Sequence, residues 1–366
     1  MTRDGLVEEQ GQGGPTILIV GTGLMGTSIA LALTGLGERV WLHDSDPGAL
    51  AEAVDRGAGE YGMPEVDPDL IFVAVPPLKA ASVVNDLLRT YVNATISDVT
   101  STKSKLLHDV ESLGGDIRRF VPGHPMAGRE LSGPGAARAD LFADRMWALT
   151  PAPETEDSRV ADVARLVTAL GAVVRITSAD EHDRAVALTS HTPQVVASLV
   201  AAGLSPLDDA GVALSGQGLR DVTRLAASDP ELWSEILASN SGPVAESLTG
   251  LIGRLAALRD ALESEPPNID ALASGLRAGT AGYARVPGKH GSAQTRYAVV
   301  PVVVADQPGE LGRLFADVGV AGVNLEDVRI EHTQGRPTGY VELEVQPGSA
   351  QGLSDSLRER GWDVRY

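Results

Sequence analysis

The stretch that most constrains this chain is TILIVGTGLMGTSIALALTGLG, residues 16–37. Thr16–Val20 is an unbroken apolar, largely β-branched run, the pattern of a strand buried on both faces of a parallel sheet. It leads directly into Gly21-x-Gly23-x-x-Gly26, whose Leu24 and Met25 are also expected beside the cofactor, and then into the helical TSIALALTGLG. In this order each glycine has a task. Gly21 makes the tight turn, Gly23 lets a diphosphate approach the helix N-terminus, and Gly26 lets helix and strand pack closely. The next strand-like run, RVWLH, ends at Asp44, where a carboxylate can take ribose hydroxyls and repel an extra phosphate. The motif therefore predicts a dinucleotide, NAD rather than NADP. A glycine turn with a solvated aspartate is the plain alternative.

The alternation continues. DLIFVAVPP is a strand ending in Pro76 and Pro77, with Val75 and Pro76 expected beside the cofactor, KAASVVNDLLRTYV a helix, ATISDV a strand, KSKLLHDVESLG a helix and RRFV a strand, with RMWALTP a further apolar piece. Strands alternating with helices predict an α/β fold, a Rossmann-type doubly wound parallel sheet over 15–178. Ligands of such sheets collect at the carboxyl ends of the strands. Three loops are expected there: VPP at 75–77, DVTSTKSK at 98–105 and GHPMAG at 123–128. The last carries His124, a side chain suited to act as a base near neutrality, although a histidine among glycines and prolines can also simply finish a turn.

Composition narrows the function classes. With 30 Lys and Arg against 49 Asp and Glu the net charge is −19, which repels phosphodiesters and anionic lipid, so nucleic acid and membrane are not expected partners. There is no cysteine, which removes disulfides, thiolate catalysis and zinc–thiolate sites; no metal is expected, and a reducing, cytoplasmic setting is compatible. No run reaches the roughly 18 apolar residues of a membrane span. Residues 1–14 are acidic and Gly-rich and read as a disordered tail.

From 179 to 285 the pattern is mostly helical, after one strand near 172–178. Pro193 is expected to kink or restart the helix just after His191. SDPEL predicts a helix start, with Ser228 or Asp229 as cap and Pro230 in the first position. Asp221 and Arg224 stand three apart on one helix face, a spacing that by itself means no more than a surface pair. Taken singly, His191 reads as a buried histidine, Trp233 as a packing anchor and Ser101 as a helix cap.

Together these motifs resemble the bacterial prephenate/arogenate dehydrogenase family over residues 16–290. The matching segments are GTGLMG, SDVTSTK with Ser101, GHPMAGRELSG with His124, and LRDVTRLAASDPELW with Asp221, Arg224 and Trp233; SHTPQ with His191 is a weaker fifth. The resemblance implies a Rossmann domain followed by a helical substrate and dimerisation domain, a homodimer, and NAD-dependent oxidative decarboxylation of prephenate, with arogenate the alternative substrate. It implies His124 as the base that takes the ring-hydroxyl proton and Ser101 as its hydrogen-bonding neighbour. Arg224 would bind a substrate carboxylate with Asp221 behind it, while His191, Trp233, Glu130 and Arg129 would surround the substrate. Arg129 replaces the small hydroxyl residue common in the family. A different NAD-linked reductase on the same plan would need a catalytic lysine in 179–283, where there is none; a non-catalytic amino-acid sensor would have no use for Ser101, His124 and Arg224 together.

After a linker at 286–296, residues 297–366 read strand, helix, strand, turn at QGRP, strand, helix, strand, a βαββαβ order that resembles an ACT domain. The resemblance implies an effector, tyrosine, at the ADQPGEL turn, involving Asp306, Gly309, Glu310 and Leu311. A module that only dimerises is the alternative.

Overall fold

The computed structural model describes residues 14–128, 132–286, 296–332 and 338–366. The acidic tail, Arg129 and Glu130, most of the 286–296 linker and the QGRP turn therefore lie outside the described residues. The chain divides into two compact units, residues 1–257 and 258–366.

The first unit is built on a six-stranded, all-parallel sheet: β1 (Thr16–Val20), β2 (Arg39–His43), β3 (Glu60–Tyr61), β4 (Leu70–Val73), β5 (Thr95–Asp98) and β6 (Phe120–Val121), in the order β3-β2-β1-β4-β5-β6. The order reverses between β1 and β4, the switch point at which such sheets open a crevice. Helices α1 (Leu24–Gly35), α2 (Pro47–Asp55), α3 (Pro77–Thr90), α4 (Ser104–Ser112) and α5 (Asp157–Ala169) belong to this unit. Alternate residues of β1 enter two separate cores. Ile17 and Ile19 pack with Ile29, Leu33 and Val163, and Leu18 and Val20 with Val84, Leu88 and Val110. Burial on both faces explains why the strand reads as a continuous apolar run.

The sequence pattern misplaces one piece. GHPMAG is not a loop of this sheet, and RMWALTP is not a further strand of it. β7 (Gly123–Pro125), β8 (Met146–Leu149) and β9 (Val173–Ile176) form a separate three-stranded sheet, with β7 antiparallel and β9 parallel to β8. It is anchored by Trp147, fully buried and packed on Phe142 and Phe72 at ring distances of 5.0 and 6.3 Å. Three residues are too few for an alternating pattern to announce a strand.

The helical part begins with α6 (Ala179–Val186), started by a reciprocal capping box between Ser178 and Glu181. The helix does not break at Pro193. It widens into a π turn at Ala187–His191 and continues as α7 (Thr192–Ala202), so the proline sits in the first turn of α7, where its missing N–H costs little. Then follow α8 (Asp209–Val212), α9 (Gln217–Thr223), a 3₁₀ turn at Arg224–Ala227, α10 (Pro230–Ser239), α11 (Ser241–Glu263) and α12 (Ile269–Tyr283). Asp229 caps α10 by accepting from the N–H groups of Glu231 and Leu232, with Pro230 first, as its sequence predicts. The run Ala179–Ala202 is the one described helix long and apolar enough by composition to cross a membrane, with a mean hydropathy of 1.2. It also carries the buried polar residues His182, Asp183 and His191, all hydrogen-bonded within the protein.

In the second unit β10 (Ala298–Ala305), α13 (Glu310–Val320), β11 (Asp327–His332), β12 (Thr338–Val345), α14 (Ala350–Glu359) and β13 (Asp363–Val364) realise the βαββαβ order. Their antiparallel sheet, in the order β11-β12-β10-β13, buries Val300, Val302, Val304, Leu343 and Val345 against Leu314, Leu353 and Leu357.

Candidate active site

The glycine turn has the geometry its spacing requires. A Cβ on Gly26 would collide with the Gly21 carbonyl oxygen, so helix and turn can approach this closely only without one, whereas the space beside Gly23 is open. Gly23 is the N-cap of α1 with no side-chain cap, and the first turn of α1 holds no acidic residue. That leaves the positive end of the helix facing open space, as a diphosphate needs. Leu24 and Met25 open the helix half-buried, Met25 against the core, while Val75 packs on the opposite core and Pro76 is the N-cap of α3. At the end of β2 the Asp44 carboxylate accepts from Thr22 N (2.5 Å) and Oγ1 (2.9 Å) and from Asp46 N (2.8 Å). Burial works to raise its pKa, but these donors outweigh it and hold the carboxyl below the usual range. It is therefore ionised, and Oδ1, which takes one of these three bonds, is the oxygen left to accept from a ribose hydroxyl. The residues present fit NAD.

His124 lies on β7, half-buried, and its Nδ1 is 2.9 Å from His182 Nε2. His182 Nδ1 is in turn 2.8 Å from Asp183 Oδ1. Asp183 also accepts from the backbone N–H groups of Lys103 (2.9 Å) and Ser104 (2.8 Å). Burial pushes its carboxyl up, but the His182 and backbone bonds prevail and hold it low, so it is an anion that can only accept. The proton positions follow. With His182 as the neutral tautomer that donates from Nδ1 to Asp183, its Nε2 accepts and His124 donates from Nδ1. His124 Nε2 is left with a lone pair, the form a base needs. Burial, and after it the charge of Lys103, hold the His124 imidazole well below its ordinary range, so it is neutral at pH 7.

A fully buried ion pair lies behind this chain. Lys103 Nζ donates to Asp98 Oδ2 (2.5 Å), Thr100 Oγ1 (3.0 Å) and the Gly123 carbonyl oxygen (2.6 Å), and Asp98 Oδ1 accepts from Gly123 N (3.1 Å). On the other side His191, almost wholly buried, meets Asn240 Nδ2 at 3.1 Å, and the same amide donates to the Asp183 carbonyl oxygen (2.8 Å). Trp233 stands edge-on to His191 with ring centroids 6.0 Å apart. Burial pulls His191 down to about 4.

Of the residues expected from the sequence, His124, His191 and Trp233 are thus brought into one region. Ser101 is half-buried and makes no hydrogen bond with another described residue; the partner of His124 is His182 instead. Asp221 accepts from Gln217 (2.8 Å), and Arg224 opens the 3₁₀ turn after α9. Gln194 of SHTPQ reaches that turn, donating to the Leu225 carbonyl oxygen at 2.9 Å. Glu310 in the second unit is paired with Arg313 at 2.7 Å, beside Gly309 at the start of α13 and the exposed Asp306 and Leu311. His182, Asp183, Lys103, Asp98 and Asn240 were not anticipated. At 100° per residue His182 and His191 fall half a turn out of phase, and only the π turn between them lets one helix bury both rings.

A switch-point sheet that fits NAD, with a neutral imidazole held by a second histidine and a carboxylate, defines an NAD-linked dehydrogenase. Comparison with known proteins gives the particular family. Residues 29–176 match the model of the prephenate dehydrogenase nucleotide-binding domain and residues 178–278 that of the prephenate dehydrogenase dimerisation domain. The chain is 37% identical over 356 residues to probable prephenate dehydrogenase NovF of Streptomyces niveus, covering 95% of this chain and 98% of that one. It is 28% identical to the prephenate dehydrogenase of Bacillus subtilis, covering 90% and 92%. The structure of prephenate dehydrogenase from Aquifex aeolicus, solved with hydroxyphenyl propionate and NAD+, superposes with a TM-score of 0.67 at 29% identity, covering 74% of this chain and 98% of that one. The chain belongs to the prephenate dehydrogenase family.

Proposed function

We propose that the chain oxidatively decarboxylates prephenate to 4-hydroxyphenylpyruvate with NAD, in tyrosine biosynthesis in the cytoplasm. The observation that carries this reading is the Asp183–His182–His124 chain, which leaves His124 Nε2 unprotonated beside a nucleotide-binding sheet. Held at the Gly21–Gly26 turn and Asp44, NAD would supply the acceptor for the hydride of the substrate ring's C4, whose loss accompanies departure of the C1 carboxylate as carbon dioxide. His124 Nε2 takes the proton of the C4 hydroxyl, the positive charge that forms on the imidazole is balanced through His182 by Asp183, and the proton returns to the phenolate oxygen once the ring is aromatic. The uncommitted Ser101 hydroxyl holds the same substrate hydroxyl. Arg224 binds a substrate carboxylate through its planar fork, with Asp221 near it. Trp233 closes the site, and His191 supports it from within the protein.

The reading includes three parts, 15–178, 179–285 and 297–366, and a homodimer formed through the second. Leu199, Leu207, Leu214 and Val222 of this part are exposed apolar side chains that such a contact could cover. The third part is an ACT-like module that takes tyrosine at the turn of Asp306, Gly309, Glu310 and Leu311. The test is NADH formation at 340 nm with prephenate and arogenate in parallel, each with and without tyrosine. Turnover of prephenate, lowered by tyrosine, is expected. Preference for arogenate would replace the substrate, and no turnover of either would overturn the assignment.

A further inference from the structure

Lys103 is a fully buried cation inside a protein of net charge −19. Desolvation makes such a group expensive unless every N–H is used and an anion is close. Both conditions hold. Its three bonds go to Asp98, Thr100 and Gly123, so the ammonium, which has three N–H groups, is the form the geometry requires. Two of these contacts converge on the residue before His124. The Gly123 carbonyl is held by Lys103 and the Gly123 N–H by Asp98, so the ion pair grips both polar groups of one glycine. That glycine cannot shift toward its neighbours. A Cβ there would stand 2.8 Å from the Asp98 carbonyl oxygen and 2.9 Å from Trp147 Nε1. Residue 103 also reaches His124 from the other direction, because its backbone N–H donates to Asp183, which orients His182, which orients His124.

We propose that Lys103 is a positioning residue for the dehydrogenase reaction: its ammonium fixes the backbone of His124 through Gly123, and its N–H fixes the imidazole of His124 through Asp183 and His182. The ammonium has a second effect. The charged and titratable groups around His124 are His182 on α6, His191 on the π turn, Asp183, and the Asp98–Lys103 pair; burial lowers the Lys103 pKa, while Asp98 and the three hydrogen bonds favour its ammonium form. Its charge disfavours protonation of His124, which keeps the base usable in mildly acid solution. The inference rests on His124 being the base.

The experiment uses the full chain with Lys103→Met, Lys103→Gln and Asp98→Asn. The measurements are kcat and KM for prephenate across pH, and the titration of the His124 ring followed by ¹⁵N-histidine NMR without substrate, its signal assigned by loss in His124→Asn. Lys103→Met is expected to lower kcat by about 10–100-fold with KM changed less than about threefold, the pattern of a misplaced base. The His124 titration and the acid limb of kcat should move up toward the ordinary imidazole value of about 6.5. Lys103→Gln, which can still donate to Gly123, should recover part of kcat but show the same upward movement. Asp98→Asn removes the anion that holds Lys103 charged in the interior, so the titration is expected to rise there too. If Lys103→Met does not fold because Asp98 is stranded, Asp98→Asn/Lys103→Met removes both charges and is expected to give the same loss and upward movement. A Lys103 variant that folds with wild-type kcat and an unmoved His124 titration would overturn the proposal. The NMR titration needs no turnover, so a failure to oxidise prephenate, which would sink the assignment of the reaction, is read separately.

Discussion

Replacing Asp183 with asparagine tests the orientation of the base without touching it. The carboxylate accepts from His182 Nδ1 and from the N–H groups of Lys103 and Ser104 at 2.8–2.9 Å, and none of these three donors can turn away. Asparagine offers one carbonyl oxygen and one NH₂ group in the same space. If the oxygen takes the Oδ2 place with the Ser104 N–H, the NH₂ faces both the Lys103 N–H, which loses its acceptor, and His182 Nδ1, which must then accept. His182 Nε2 becomes the donor to His124 Nδ1, and His124 is left with its proton on Nε2, facing the substrate in the useless tautomer. If instead the oxygen stays with His182, a buried backbone N–H loses its acceptor, at a cost of about 1–3 kcal/mol. The variant therefore loses either the base or stability. Losing a correctly held tautomer typically costs about 10²–10⁴-fold in kcat in sites of this kind. The assay is initial-rate NADH formation at 340 nm together with urea unfolding of the same preparation. A kcat within about threefold of wild type and an unchanged unfolding midpoint would refute the assignment of protons along the chain.

Other predictions follow from single residues. His191 is neutral in the folded chain down to about 4, whereas an unfolded imidazole takes a proton near 6.5. Between those values the unfolded state binds more protons, so stability present above pH 6.5 is lost as the pH falls to 4, by about 3 kcal/mol for this group. Urea midpoints at pH 7, 5.5 and 4 should fall more steeply for wild type than for His191→Gln, and parallel falls would contradict this. Gly123→Ala places a methyl against the Asp98 carbonyl and Trp147. It should cost about 1–3 kcal/mol by overpacking and lower kcat at least tenfold through His124, to be checked by thermal unfolding and initial rates. Asp44→Ala removes the ribose acceptor and the partner of Thr22. Losing charge-assisted bonds of about 1.5–3 kcal/mol should raise the NAD KM about 10–100-fold and narrow the preference over NADP, which initial rates with both cofactors would show.

The legible features were those set by short-range physics. The β1 run, the glycine turn and Asp44 each announce themselves, since a doubly buried strand must be apolar and a close approach must be glycine. His124 could be singled out because a titratable ring at the carboxyl edge of a sheet is rare, although its three-residue strand could not. The partners of His124 were hidden for specific reasons. Lys103 sits in TKSK, which reads as a solvated basic run, and its burial depends on Asp98 and Gly123 arriving from two different strands. His182 and Asp183 look like polar residues on the exposed side of a capped helix until the π turn rotates His191 into the same interior. Asn240, at the junction of α10 and α11, reads as a helix stop, and nothing local indicates that its amide joins Asp183 to His191.

The central claim, that His124 is the base of an NAD-linked dehydrogenase acting on prephenate, is tested most directly by comparing wild type and His124→Asn. The quantities needed are kcat for NADH formation from prephenate and the Kd for NADH, measured on the same samples. The structure predicts a kcat lower by about 10²–10⁴-fold with NADH affinity unchanged, since general-base catalysis is worth about that much and His124 takes no part in the glycine turn. A variant that retains more than about a tenth of wild-type kcat would contradict it.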